Sequence, residues 1–143
     1  GPGQLVGYPI THLGRARLAV PAFVAQIGRW LTQTSALLGL EGVTYDACQP
    51  GVYLEGRKLG SIGLHLHRQV STHGFALNVQ NALDGFNAID PCGMTNLAVS
   101  TIAQEARREV TLIEARDALQ AVLEASPDGE ASWTCTNDTS EEP

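Results

Sequence analysis

Three short runs in the middle of the chain read as strands, two of them alternating apolar and polar residues, with turn signals between them. Val52-Tyr53-Leu54 is followed by the tight turn Glu55-Gly56. Leu59 to His67 then sets Ile62, Leu64 and Leu66 on one face and Gly63, His65 and His67 on the other. Gln69 to Thr72 turns, and His73 to Val79 alternates again, with Phe75, Leu77 and Val79 inward. Successive strand side chains point to opposite faces, so this period of two predicts an antiparallel meander of three strands.

Other elements read around it. Gly1-Pro2-Gly3-Gln4 is a turn, Leu5 to Ile10 a short strand ended by Pro9, and His12 to Arg17 a polar loop. Pro21 suits a first helical turn, and Val20, Phe23, Val24, Ile27, Leu31 and Leu38 follow at helical spacing. That predicts a helix of about 18 residues closed by Gly39. Glu41 to Asp46 has strand character. Residues 80–96 are irregular, and loops on a rigid scaffold are where chemistry concentrates. Thr95 or Asn96 caps a helix running to about Arg108, and a last helix spans about Thr111 to Ala125.

A chain of 143 residues fits one domain. Its net charge of −6 is unevenly spread: residues 1–113 carry 8 basic and 7 acidic side chains, residues 114–143 carry 1 and 8. The body, residues 1–126, is close to neutral, and residues 127–143 read as an acidic, disordered tail. No basic stripe suggests nucleic acid. No window approaches the ~20 apolar residues of a membrane span, and no signal peptide is visible. Three cysteines, an odd number, read as reduced thiols of a cytoplasmic protein.

Two positions carry nucleophile chemistry. In Asp90-Pro91-Cys92-Gly93-Met94 the flanking Pro and Gly fix a turn from which a thiol projects. A nearby cation would lower its pKa and populate the thiolate; the plainer alternative is a small buried thiol. Lys58 is the sole lysine among eight arginines, and an amine titrates where a guanidinium does not. It stands in Arg57-Lys58-Leu59-Gly60-Ser61-Ile62-Gly63, whose glycines and serine leave one face without bulk. It reads either as a counter-charge for a thiolate or as a solvated hairpin lysine. Gly74 and Ala76 share a face of the next strand and line either a pocket or a crowded sheet. His65, His67 and His73 invite a zinc reading, but no carboxylate or cysteine stands at a helpful spacing, so no metal is expected. No phosphate-binding, dinucleotide, serine-hydrolase or zinc-protease motif occurs.

Read jointly, these segments resemble the octanoyltransferase family, the lipoyl(octanoyl) transferases. The resemblance rests on Gly1 to Pro9, Pro50-Gly51-Val52-Tyr53, Gly56 to Gly63, His73 to Val79 and Asp90-Pro91-Cys92-Gly93, in order from residue 1 to about residue 112. It implies a mixed α/β fold, mainly antiparallel sheet packed with helices, like biotin and lipoate ligase catalytic domains. It implies that Cys92 takes an octanoyl group from octanoyl-acyl carrier protein as a thioester. A lysine of a lipoyl domain, in 2-oxoacid dehydrogenase subunits or glycine cleavage H protein, then accepts that group without a cofactor. Lys58 would lower the thiol's pKa and manage the proton. Ser61, Ile62, Gly63, Gly74, Phe75 and Ala76 match the family's acyl-pocket segments. The family also carries an Arg-Gly-Gly…Thr-Tyr-His segment before Gly-Pro-Gly-Gln, and this chain begins after it. The expectation is therefore a catalytic domain incomplete at its N-terminus. An inactive remnant that binds only the carrier or lipoyl domain, and an ATP-dependent ligase, are the rivals; the ligases need no cysteine nucleophile.

Overall fold

Two hairpins carry the sheet in the computed structural model, which describes residues 1–84 and 97–126. Strand β3 (Gly51–Leu54) turns through Glu55 and Gly56 into β4 (Arg57–His67), and β4 turns through Arg68 and Gln69 into β5 (Val70–Asn78). All four turn residues have positive φ, between 48° and 79°, the two-residue geometry whose twist matches that of paired strands. Strands β1 (Gln4–Gly7) and β2 (Thr44–Asp46) complete a five-stranded antiparallel sheet in the order β1-β5-β4-β3-β2.

One face of this sheet is buried by helices. In register, Leu5, Leu77, Gly60 and Val52 lie side by side, as do Gly7, Phe75 and Ile62. Their apolar side chains join one core with Phe23, Ile27, Trp30 and Leu31 of helix α2 (Val20–Leu37). Helix α2 ends where Gly39, at φ 98°, lets the Leu40 N–H reach the Ser35 carbonyl at 3.0 Å and its own N–H reach Ala36 at 3.0 Å. Helix α4 (Leu112–Glu124) begins at Thr111, whose Oγ1 accepts from the Glu114 N–H at 3.1 Å. It buries Ala115, Leu119, Val122 and Leu123, one stripe at helical spacing, in the same core.

The structure departs from the sequence reading at five places: β1 stops at Gly7, not Ile10, β2 starts at Thr44, not Glu41, and three more differences have local causes. His12 to Arg17, expected as a loop, contains helix α1 (Leu13–Ala16), because His12 Nδ1 accepts from the Arg15 N–H at 3.3 Å and Arg17 closes the turn at φ 53°. Strand β5 begins at Val70, not His73, since the hairpin needs only Arg68 and Gln69 to reverse. The helix expected to run from residue 95 or 96 to Arg108 is the short α3 (Ile102–Ala106), capped by Thr101. Before it the Ser100 N–H is committed to the Lys58 carbonyl at 3.0 Å, which holds the backbone in a bridge to the sheet. Thr95, Asn96 and the acidic stretch 127–143 lie outside the described residues.

Candidate active site

The sheet's second face carries Ser61, Gly63, Gly74 and Ala76, whereas Gly60, expected on the same bare face, lies on the helix side between Val52 and Leu77. Val6, Ala76, Ser61 and Gly51 lie side by side across four strands. Ser61 and Gly63 are exposed, and a Cβ built on Gly63 would meet nothing within 4 Å. Gly74, paired with Gly63, is buried instead: a Cβ there would run into the Gly7 carbonyl and come within 2.6 Å of Pro9 Cδ. The space beside Gly74 is thus filled by the chain leaving β1, and the open lane runs along β4. Ile62 and Phe75 pair with each other on the helix side and are almost fully buried, so the face of Ser61, Gly63 and Ala76 does not carry their side chains.

Lys58 reaches this open face through an irregularity. A regular strand would put it with Gly60 and Ile62, toward the helices. Val52 pairs with Gly60, however, and Tyr53 with Lys58, so Leu59 is one extra residue on β4. The bulge turns Leu59 fully into the core and Lys58 to the other side. There Lys58 Nζ lies 5.7 Å from the centre of the Tyr53 ring, and its Cε stands 3.1 Å from where a Cβ on Gly51 would be.

The backbone of Lys58 is held on both sides. Beyond the Tyr53 pairing, its N–H donates to the Ala98 carbonyl at 2.8 Å and its carbonyl accepts from the Ser100 N–H at 3.0 Å. Ser100 is fixed in turn by Asn78, whose Nδ2 donates to the Ser100 carbonyl at 3.3 Å while Gln4 Nε2 donates to Asn78 Oδ1 at 2.8 Å. Sequence reasoning passed over Tyr53, Asn78 and Ser100 as site-building residues. The available signal was an asparagine between the apolar Leu77 and Val79, since a buried amide needs partners.

Cys92, with the turn expected around it, lies outside the described residues. Among those described, no group of three His, Cys, Asp or Glu is placed to hold a metal ion. A groove of about 520 Å³ is lined by charged groups including Glu41, Glu55, Arg57, Glu105 and Arg107, and its lining contains neither Lys58 nor Ser61. It is a poor bed for an alkyl chain.

Next to Lys58, Arg57 grips Glu105 with two bonds, Nε to Oε1 at 2.7 Å and Nη2 to Oε2 at 2.9 Å, so α3 is tied to the start of β4. The guanidinium, and after it the Ser100 hydroxyl, holds the Glu105 carboxyl below its ordinary range. A depressed folded-state value means that the contribution to stability is complete above the unfolded value of about 4.3 and is lost as pH falls through the folded one. Thermal unfolding between pH 6 and pH 3 should therefore show a falling Tm at the acid end, and Glu105→Gln should flatten that fall. Parallel acid limbs in the two proteins would exclude Glu105 as a contributor.

The described residues thus form a one-layer antiparallel sheet backed by helices, with an amine raised onto its other face. Residues 1–124 match the family described as the lipoyl protein ligase A/B catalytic domain, and the chain belongs to it. It is 40% identical over 127 residues to the octanoyltransferase of Geobacter sulfurreducens, covering 89% of this chain and 54% of that protein. To the octanoyltransferase of Mycobacterium tuberculosis it is 42% identical over 132 residues, covering 90% and 56%. The chain thus spans about half the length of the curated relatives it matches. The fold resembles biotin protein ligase from Aquifex aeolicus, with a TM-score of 0.64 at 12% identity over 84% of this chain and 50% of that one.

Proposed function

We propose that this chain carries the nucleophile and proton-handling half of an octanoyltransferase, with residues 1–126 as the catalytic unit working in the cytoplasm. Cys92 passes its thiol proton to Lys58, and the thiolate attacks the thioester carbonyl of octanoyl-acyl carrier protein. A new carbon–sulfur bond forms, the bond to the carrier's sulfur breaks, and the departing thiolate takes the proton from the Lys58 ammonium. The amine of a lipoyl-domain lysine then attacks the octanoyl-Cys92 thioester. The amide forms, the Cys92 sulfur leaves, and the proton lost by the amine returns through Lys58 to that sulfur. No cofactor enters either step. Acceptors would be lipoyl-domain proteins such as 2-oxoacid dehydrogenase subunits and glycine cleavage H protein. Ser61, Gly63 and Ala76 would face the acyl chain, with Ile62, Gly74 and Phe75 shaping the strands behind them.

The observation that carries this reading is the bulge that lifts Lys58 onto the small-residue face while its backbone bonds Ala98 and Ser100. Cys92 is six residues before Ala98, a contour of at most about 20 Å, so the thiol is tethered to the strand that holds the amine. The names of the relatives add the substrate class. Incubation with octanoyl-acyl carrier protein should leave an octanoyl adduct on Cys92, read by peptide mapping. Adducts in the folded protein on Cys48, which is exposed, or on Cys135 would sink the assignment.

A further inference from the structure

The two edges of the sheet, β1 and β2, have no strand on their outer side among the described residues, and they differ in chemistry. The β2 edge carries Asp46 and is preceded by Glu41, both exposed. At the other edge the chain keeps running beside β5 after β1 ends. Gly7 pairs with Phe75. Four residues on, the Ser71 N–H donates to the Thr11 carbonyl at 2.9 Å, and the Ser71 hydroxyl donates to the Pro9 carbonyl at 2.7 Å. From Gln4 to Thr11 this edge has no charged side chain, and the first charges after it are Arg15 and Arg17. Every second residue along it is large, apolar and open to solvent: Val6 is 42% exposed, Tyr8 60% and Ile10 68%. An uncharged edge with an apolar row is the kind of surface to which a further strand adds.

Two observations select the occupant. The first is where the last helix sits. Helix α2 packs on β2, β3 and β4, whereas α4 packs on α2 and β1. The chain beyond α4 therefore leaves the helix layer on the β1 side of the sheet. From Ser126 to Ala131 is five residues, a reach of at most about 17 Å.

The second observation is a pattern inside the acidic stretch 127–143. Ala131, Trp133 and Cys135 alternate with Ser132, Thr134 and Thr136, the period of a strand with one apolar face. Gly129 before this run and Asn137-Asp138 after it are turn residues. The charges flanking the run are all acidic: Asp128, Glu130, Asp138, Glu141 and Glu142. Glu41 and Asp46 repel them from the β2 edge, while the β1 edge leads into Arg15 and Arg17.

We propose that residues 131–136 add to the β1 edge as a sixth strand, with Ala131, Trp133 and Cys135 on the face of Val6, Tyr8 and Ile10. Val6 lies beside Ala76, and Ala76 beside Ser61, so the added strand walls the small-residue face on its β1 side. The proposal rests on the fold and the sequence pattern and is independent of the acyl-transfer reading. Its test is hydrogen exchange of the 143-residue chain, read by mass spectrometry, with a synthetic 127–143 peptide as the unpaired reference. Exchange over residues 131–136 should be at least about ten-fold slower in the chain than in the peptide. Of two adjacent N–H groups in a strand, one points at the partner, so T134P/C135P removes a donor whichever way the strand faces. V6E/Y8E replaces the apolar row with acidic side chains at exposed positions. Both variants should return residues 131–136 to the exchange rate of the peptide, while β4 and β5 stay protected and report a folded body. Peptide-like exchange in the parent overturns the proposal. So does protection that survives V6E/Y8E, which places the segment elsewhere, and so does protection lost on about ten-fold dilution, which means pairing between two copies.

Discussion

Lys58→Ala is expected to slow octanoyl transfer by about 10²–10⁴-fold, the range for losing a positioned proton-transfer group. Without the ammonium, the Cys92 thiol should move toward the ordinary cysteine value of about 8.5, and the pH midpoint of its alkylation rate should rise accordingly. Lys58→Arg separates charge from proton transfer. The guanidinium can still favour the thiolate, so the alkylation midpoint should stay near that of the parent, but it cannot take up and return a proton near neutral pH. Transfer to the acceptor amine should fall in both variants. Coincident alkylation midpoints in parent and Lys58→Ala, with unchanged transfer, would remove the amine from the mechanism. The fold makes the comparison clean: Lys58 is pinned through its backbone to Tyr53, Ala98 and Ser100, so truncating its side chain leaves those bonds in place.

Gly74→Ala should be the most damaging single methyl addition on the open face. The new Cβ would press on the Gly7 carbonyl, and Gly7 cannot retreat because it is paired with Phe75 in the sheet. Pro9, the next obstacle, is rigid and buried. Overpacking against fixed backbone should cost about 3 kcal/mol and lower Cm in urea without changing m. Gly63→Ala is the matched control, across the same pair on β4 with nothing in its way. Its stability should change by no more than about 0.5 kcal/mol. Equal stability losses at the two positions would show that the chain leaving β1 does not close over Gly74 as described.

The meander was legible because alternation and Glu55-Gly56 point the same way, and helix α2 because its apolar stripe is long and Gly39 ends it. The β4–β5 turn was misread as longer than it is, because Arg68 and Gln69 adopt a backbone that sequence associates with Gly or Asn. Helix α1 rests on a histidine ring serving as a cap, a contact weaker in the sequence than Ser, Thr or Asp would be. Both Lys58 and the small residues were singled out by their oddity in the sequence. How Lys58 comes to share a face with Ser61 was not legible, since strict alternation assigns it to the core side. Nor could any local pattern reveal the Asn78–Ser100–Lys58 chain, which joins residues more than twenty positions apart. The role assigned to Cys92 rests on its Pro-Cys-Gly sequence and the family resemblance.

The extra residue at Leu59 makes spacing along β4 a matter of parity. Removing that one residue would leave Tyr53 opposite Lys58 and Val52 opposite Gly60 in a regular ladder, with the amine two positions before Ser61 and still on its face. Removing a second would bring the amine next to Ser61 in the chain and so swing it to the helix side, where a charge has no solvent. The strand therefore carries one residue of slack for the direction of the amine but none for the core, because Leu59 is fully buried. A chain shortened by Leu59 alone should keep the amine facing the lane and lose stability instead.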